Sequence, residues 1–151
     1  MNSSTTITVS KDITLVTLRG FPANIKALSD IFSEIAAYDI NIDMISTAPT
    51  HGAYTGLSVT ISDDDLGKML AYTKELKKHE DVVVSISSGN RKISVYDESM
   101  RDAPGMAARV FQAISDTEAD IRLITTSEVE IAILVSEADF DNAYFALKDA
   151  D

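Results

Sequence analysis

The chain has 151 residues, 45% of them hydrophobic, with 24 acidic against 13 basic side chains for a formal charge of −11, and no cysteine. A compact chain of this length buries roughly 70% of its unfolded surface, so it needs no staple, and disulfides and thiolate metal sites are excluded. The acidic excess repels phosphate backbones and argues against nucleic acid, while no apolar run approaches the roughly 18 to 20 residues that span a bilayer. The start, Met1-Asn2-Ser3-Ser4-Thr5-Thr6, lacks a basic region followed by an apolar one, so no secretory signal is read and a cytoplasmic location is expected.

In chain order, short β-branched runs alternate with helical stripes, and they do so twice. Strands are predicted over 13–19, 40–46, 55–61 and 82–87. Between the first two lies a helix with Ile25, Leu28, Ile31, Phe32 and Ile35 on one face. A second helix follows Ser62 and carries Leu66, Met69, Leu70, Thr73 and Leu76. The order is βαββαβ, a ferredoxin-like α+β unit. After a turn at Ser88-Gly89-Asn90 the plan restarts with a strand over 92–96 and a helix bearing Ala107, Val110, Phe111 and Ile114, which Asp102 is expected to cap and Pro104 to open. Strands over 121–126 and 129–135 and a helix with Phe140, Ala143, Tyr144 and Leu147 complete the pattern.

The repeat is visible in residues as well. Ile31-Phe32 matches Val110-Phe111, and Ile42-Asp43-Met44-Ile45-Ser46-Thr47 matches Ile121-Arg122-Leu123-Ile124-Thr125-Thr126, both 79 positions apart (111 − 32; 121 − 42). The second repeat lacks a fourth strand, whereas the N-terminus has a spare one, Thr6-Ile7-Thr8-Val9-Ser10. An unfilled sheet position leaves a ladder of backbone groups unpaired, so the N-terminal run is expected to cross over and interlock the two repeats. The expected domains are 11–88, and 5–10 together with 91–149.

The segment Asp97-Glu98-Ser99-Met100-Arg101-Asp102-Ala103-Pro104-Gly105-Met106-Ala107-Ala108-Arg109-Val110-Phe111 resembles the G-x-G-M-R-x-x-P-G-x-A-A-R-x-F opening of the second ACT repeat in aspartate kinases. Ile121-Arg122-Leu123-Ile124-Thr125-Thr126-Ser127-Glu128-Val129-Glu130-Ile131 is similar to the strand pair that follows it there, and Leu18-Arg19-Gly20-Phe21-Pro22 with Ile40-Asn41-Ile42-Asp43-Met44-Ile45 extends the likeness to the first repeat. The resemblance covers residues 6 to 148 and implies two ACT repeats of an allosteric regulatory region, without the kinase domain and its Lys-Phe-Gly-Gly-Thr-type motif. It implies lysine or threonine as effector, a homodimer and an aspartate kinase catalytic chain as partners, and no cofactor. The family's D-x-P-G turn reads Ala23-Asn24-Ile25-Lys26 in the first repeat, and its Q-N after the second strand reads Thr47-Ala48.

A site of that kind holds a free amino acid by backbone N–H groups at the strand-to-helix turn, where the helix end favours a carboxylate, and holds the ammonium by a strand-edge side chain. The resemblance puts Asn24, Asn41, Ile42 and Asp43 at these places in the first repeat, and Met100, Asp102, Asp120, Ile121, Thr126 and Glu128 in the second. Asp43 is the expected ammonium partner, with Asp120 and Ile121 of the facing repeat beside it. Asn41 and Asp120 read equally well as ordinary turn residues, and Asp102 reads better as a helix cap.

Other chemistry is weakly supported. Asp63-Asp64-Asp65 precedes a helix and suits its N-terminus better than a metal. His51, in the hairpin-like Pro49-Thr50-His51-Gly52, and His79, at the end of a lysine-rich helix, have no nucleophile motif nearby. The readings left are an amino-acid-sensing regulatory module and, as its alternative, a pure assembly module without ligand.

Overall fold

A computed structural model describes residues 4–47 and 52–150, so the residues from Ala48 through His51 lie outside the description. The chain divides into two compact units, Asp12–Ser88 and Gly89–Asp151 with the N-terminal segment up to Lys11. In order, the elements are β1 (Thr6–Pro22), α1 (Ile25–Ala37), β2 (Ile45–Thr47), β3 (Tyr54–Ser62), α2 (Leu66–His79), β4 (Val83–Tyr96), α3 (Met106–Ile114), β5 (Ile121–Thr126), β6 (Glu130–Ser136) and α4 (Glu137–Lys148). Strands run β2-β3-β1-β4 in the first unit and β1-β4-β6-β5 in the second, with β2 and β5 at the edges. Each unit is a ferredoxin-like βαββαβ sheet-and-helix layer, the second borrowing the N-terminal strand.

Two predicted breaks are absent. The runs over 6–10 and 13–19 form one strand, and the expected turn at Ser88-Gly89-Asn90 lies inside β4. In each strand a left-handed residue marks the unit boundary, Asp12 at φ 58° and Gly89 at φ 72°. In β1 Val16 and Leu18 enter the first core and Ile7 packs against the second; in β4 Val84 and Ile86 pack against the first core, and Ile93 and Val95 lie in the second.

The first core gathers Val16, Leu18, Ile31, Ile35, Leu57 and Val59 with Met69, Tyr72 and Leu76 of α2. In the second, Ile93, Val95, Ile131 and Ile133 lie beneath Val110, Ile114, Phe140 and Leu147. Burying each such side chain stabilises by about 1.5 to 3 kcal/mol. The alternation that defines β1 and β3 pairs Val16 with Val59 and Leu18 with Leu57 across the antiparallel ladder.

β2 is shorter than its predicted 40–46. Residues 40–44 lie outside the strand, although Asp43 N–H still donates to Thr60 O (3.0 Å) and Thr60 N–H to Met44 O (3.0 Å). The Thr60 hydroxyl accepts from Met44 N–H at 2.9 Å. That side-chain bond interrupts the regular ladder and accounts for the shortening.

Candidate functional site

The turns that lead into α1 and α3 differ because their sequences differ. In the second unit Asp97 follows β4, and its carboxylate accepts from Ser99 N–H (2.9 Å) and the Ser99 hydroxyl (2.6 Å), opening a 3-10 turn over Glu98–Arg101. The same carboxylate accepts from the Thr5 hydroxyl at 2.7 Å and the Ser4 hydroxyl at 3.3 Å. The Ser99 hydroxyl, the Thr5 hydroxyl and Ser99 N–H hold the Asp97 carboxyl down at about 2. Asp97 is fully buried, and it fixes the N-terminal segment to the start of the turn.

Asp102 does not cap α3, contrary to the sequence reading. It closes the 3-10 turn, with its N–H donating to Ser99 O at 3.2 Å, and its side chain is exposed. Pro104 lies before the helix, whose N-cap is Gly105 at φ 99°, and among the described residues no side-chain cap bond closes its first turn. Glycine suits that left-handed backbone because it lacks a Cβ. The first unit has Lys26 at the matching position (105 − 79), and there the helix starts two residues earlier, at Ile25. Asn24 is its N-cap, and the amide oxygen accepts from Ala27 N–H at 2.8 Å.

Both turns lie against the hairpin of their own unit. Asp97 N–H donates to Val129 O (2.9 Å) and Ala23 N–H to Ala53 O (2.9 Å). Arg101 forms an ion pair with Glu128 and a longer one, 3.6 Å, with Glu98. In the second unit Met100, Asp102 and Glu128 therefore stand together with Thr126 at the end of β5. Met100 is half-buried against the core; the other three are exposed.

The strand-start residues are elsewhere. Asp120 precedes β5 and Ile121 begins it, five residues or about 16 Å from Thr126 at the rise of an extended chain. Asp120 N–H donates to Asp139 Oδ2 of α4 (3.1 Å), and Ile121 packs into the core. Asn41, Ile42 and Asp43 are placed alike. Asp43 pairs with Thr60, seven residues or about 23 Å along β3 from the Ala53 that touches the Asn24 turn. Each unit thus splits the expected site into a turn cluster and a strand-start cluster at opposite ends.

The remaining candidates have structural partners. Asp63 accepts from the buried Thr14 hydroxyl at 2.6 Å, Ser62 rather than an aspartate side chain accepts from Asp64 N–H, and Asp65 pairs with Lys68 at 3.5 Å. Among the described residues no group of three or more acidic or histidine side chains could hold a metal ion. His79 sits 3.4 Å from Glu75 on the surface of α2, and His51 lies outside the described residues. No helix among the described residues is long and apolar enough to cross a membrane. Asp97 escaped the sequence reading, although an aspartate two residues before a serine is an Asx-turn signal.

Residues 93–150 match the ACT domain model. An aspartokinase of Bacillus sp. (strain MGA3) is 31% identical over 142 residues, which is 92% of this chain but 34% of that protein, so the chain spans about a third of its length. The regulatory subunit of aspartate kinase from Thermus thermophilus, in its ligand-free form, superposes with a TM-score of 0.89 at 22% identity, covering 98% of this chain and 99% of that one. Escherichia coli aspartokinase III in complex with lysine and aspartate superposes with a TM-score of 0.71 at 21% identity over 94% of this chain and 31% of that one. With the duplicated βαββαβ plan, the ACT match over residues 93–150 and a likeness to aspartokinases along nearly its whole length, the chain is similar to ACT-containing aspartokinases over about a third of their length.

Proposed function

We propose that this chain is an amino-acid-sensing regulatory module of an aspartate kinase, and that its second unit carries the working turn. The observation that carries the reading is the start of α3. Among the described residues no side chain caps it, Gly105 leaves its approach open, and the turn that leads into it carries the exposed Asp102 and, through the Arg101 ion pair, holds Glu128. Helix N–H groups and their partial positive charge suit the effector's carboxylate, and a neighbouring acid suits its ammonium. In the first unit Asn24 occupies the equivalent donor, so that turn is the weaker binder.

Lysine is the first candidate effector, because the related Escherichia coli enzyme was solved with it, and threonine is the second. Titrating the chain with each in a calorimeter tests this. Saturable heat that Gly105→Lys abolishes is expected; no heat from any of the twenty amino acids would leave the assembly reading in its place.

That second reading has its own support. The edge strands β2 and β5 expose Ile45 (49%) and Ile124 (43%) at equivalent positions, and an uncovered edge with apolar side chains favours pairing with another copy. We therefore propose a homodimer through these edges, a kinase catalytic chain as the regulated partner and a cytoplasmic setting. In such a dimer the strand-start residues Asn41 to Asp43 and Asp120 to Ile121 would face a neighbour, where Asp43 could still bind an ammonium group. Sedimentation at tens of micromolar should give a dimer that Ile45→Lys with Ile124→Lys dissociates.

A further inference from the structure

The helices of the first unit enclose a groove of about 310 Å3 that the turn site does not use. Its α1 wall is the stripe Ala27, Asp30, Ile31, Glu34 and Tyr38, and its α2 wall the stripe Tyr72, Glu75, Leu76 and His79, both at three-and-four spacing. Phe21, Ile31, Leu76 and Val82 make an apolar floor, each of them buried. The Tyr38 and Tyr72 rings meet at 5.5 Å and 60°.

The rim is acidic. Asp30 is answered by Lys26 at 3.0 Å and Glu75 by Lys78 at 3.2 Å. Among the described residues neither Glu34 nor Glu80 has a basic partner. Glu34 instead accepts from the Tyr72 hydroxyl at 2.7 Å, which holds the carboxylate at the groove. Burial, then this bond, then the nearby charges of Glu34 and Glu80 push the Tyr72 hydroxyl well above the usual phenol range, so it stays a donor and adds no negative charge of its own.

The equivalent place in the second unit is smaller and has a basic residue where the first has an acid. By the 79-residue offset Met106 replaces Ala27, Arg109 replaces Asp30 and Ala113 replaces Glu34. Met106 is buried, and what remains is a recess of about 200 Å3 edged by Arg109 and Gln112. The duplicated fold thus does not require the groove. An apolar floor flanked by tyrosine rings, with unanswered carboxylates at one side, is complementary to an apolar body bearing a positive charge.

We propose that this groove binds a small organic cation, an ammonium group carried on an aromatic or branched apolar body, independently of any effector at the turns. The probe is 2-phenylethylammonium, with neutral 2-phenylethanol as its control, titrated into the 15N-labelled full chain and followed by amide shifts. Saturable shifts at Ala27, Glu34, Leu76 and Val82 are expected, about tenfold weaker for the neutral control and for Glu34→Gln. Ala27→Trp should block the groove; if that variant fails to fold, Glu34→Gln still decides, because it keeps an acceptor for Tyr72. Equal affinity for charged and neutral probes, shifts confined to the α3 turn, unchanged affinity in Glu34→Gln, or no saturation up to about 10 mM would each overturn the proposal.

Discussion

The two units share a strand plan and keep their sheet-facing residues, yet they differ wherever a helix meets something other than the sheet. Over α3 and α4 the second unit places Met106, Phe111 and a Phe140–Tyr144 stack (5.3 Å), with the Arg91 guanidinium 4.6 Å above the Phe140 ring. Over α1 and α2 the first unit leaves alanine, carboxylates and an open groove. The turns diverge in the opposite sense, capped by Asn24 in the first unit and open at Gly105 in the second. Core positions are held by packing that tolerates few shapes, whereas turns and helix flanks are free to change, so the copies have come to offer different surfaces.

The strongest way to break this contrast is to empty the closed layer. Phe140→Ala removes a buried ring and should cost about 3 to 5 kcal/mol, read as a large fall in the melting temperature. A small loss would mean that α4 is as loosely packed as the groove side of α1. Deleting residues 1–10 comes next. It withdraws Ile7 from the second core and takes from β4 its neighbour on one side, leaving β6 on the other, a loss on the order of 2 kcal/mol or more from apolar burial and strand hydrogen bonds. Amide exchange should accelerate in the 91–96 half of β4 and not in β3; the reverse would deny the borrowed strand.

Tyr72→Phe sharpens the contrast from the groove side. It loses one hydrogen bond to an exposed carboxylate, so stability should fall by about 1 kcal/mol or less. A drop several times larger in urea titration would make the groove structural. The smallest effect concerns acid. The Asp97 carboxyl is held at about 2, below its ordinary 3.8, so the stabilisation it gives is complete above 3.8 and is lost as the pH falls toward 2. Amide signals of residues 5–9 should begin to exchange faster across that window in the wild type, whereas Asp97→Asn should show fast exchange at neutral pH.

Much of the fold was legible because both its periods are short-range. The 79-residue offset aligned Val110 with Ile31 and Ile124 with Ile45, and both pairs take matching places in the structure. The unit boundaries were harder to read, since Ser88-Gly89-Asn90 has turn composition and yet runs through β4 with Gly89 in a left-handed backbone, and Asp12 adopts a left-handed backbone that aspartate only tolerates. The strand pairing, not the local sequence, decides between a turn and a continued strand. The candidate site was legible in membership and illegible in grouping. A motif places Asp102 and Asp120 near one another in sequence, but the helix between them and the length of β5 set them at opposite ends of the unit. Glu34 and Tyr72, 38 positions apart, gave no joint signal, because each alone reads as a surface acid and a core aromatic.

The hydrogen bonds from Ser4 and Thr5 to Asp97 span 93 and 92 positions, which bears on how the protein is made. On a ribosome the contiguous Asp12–Ser88 unit has all its strands in hand before α3 exists. The segment ahead of it must wait, with its edge uncovered, until β4 is complete. Since long-range pairings are the slow ones, pulse-labelled exchange during refolding should protect β3 before residues 5–9. The interval between them is when this chain is most open to mispairing with another nascent copy.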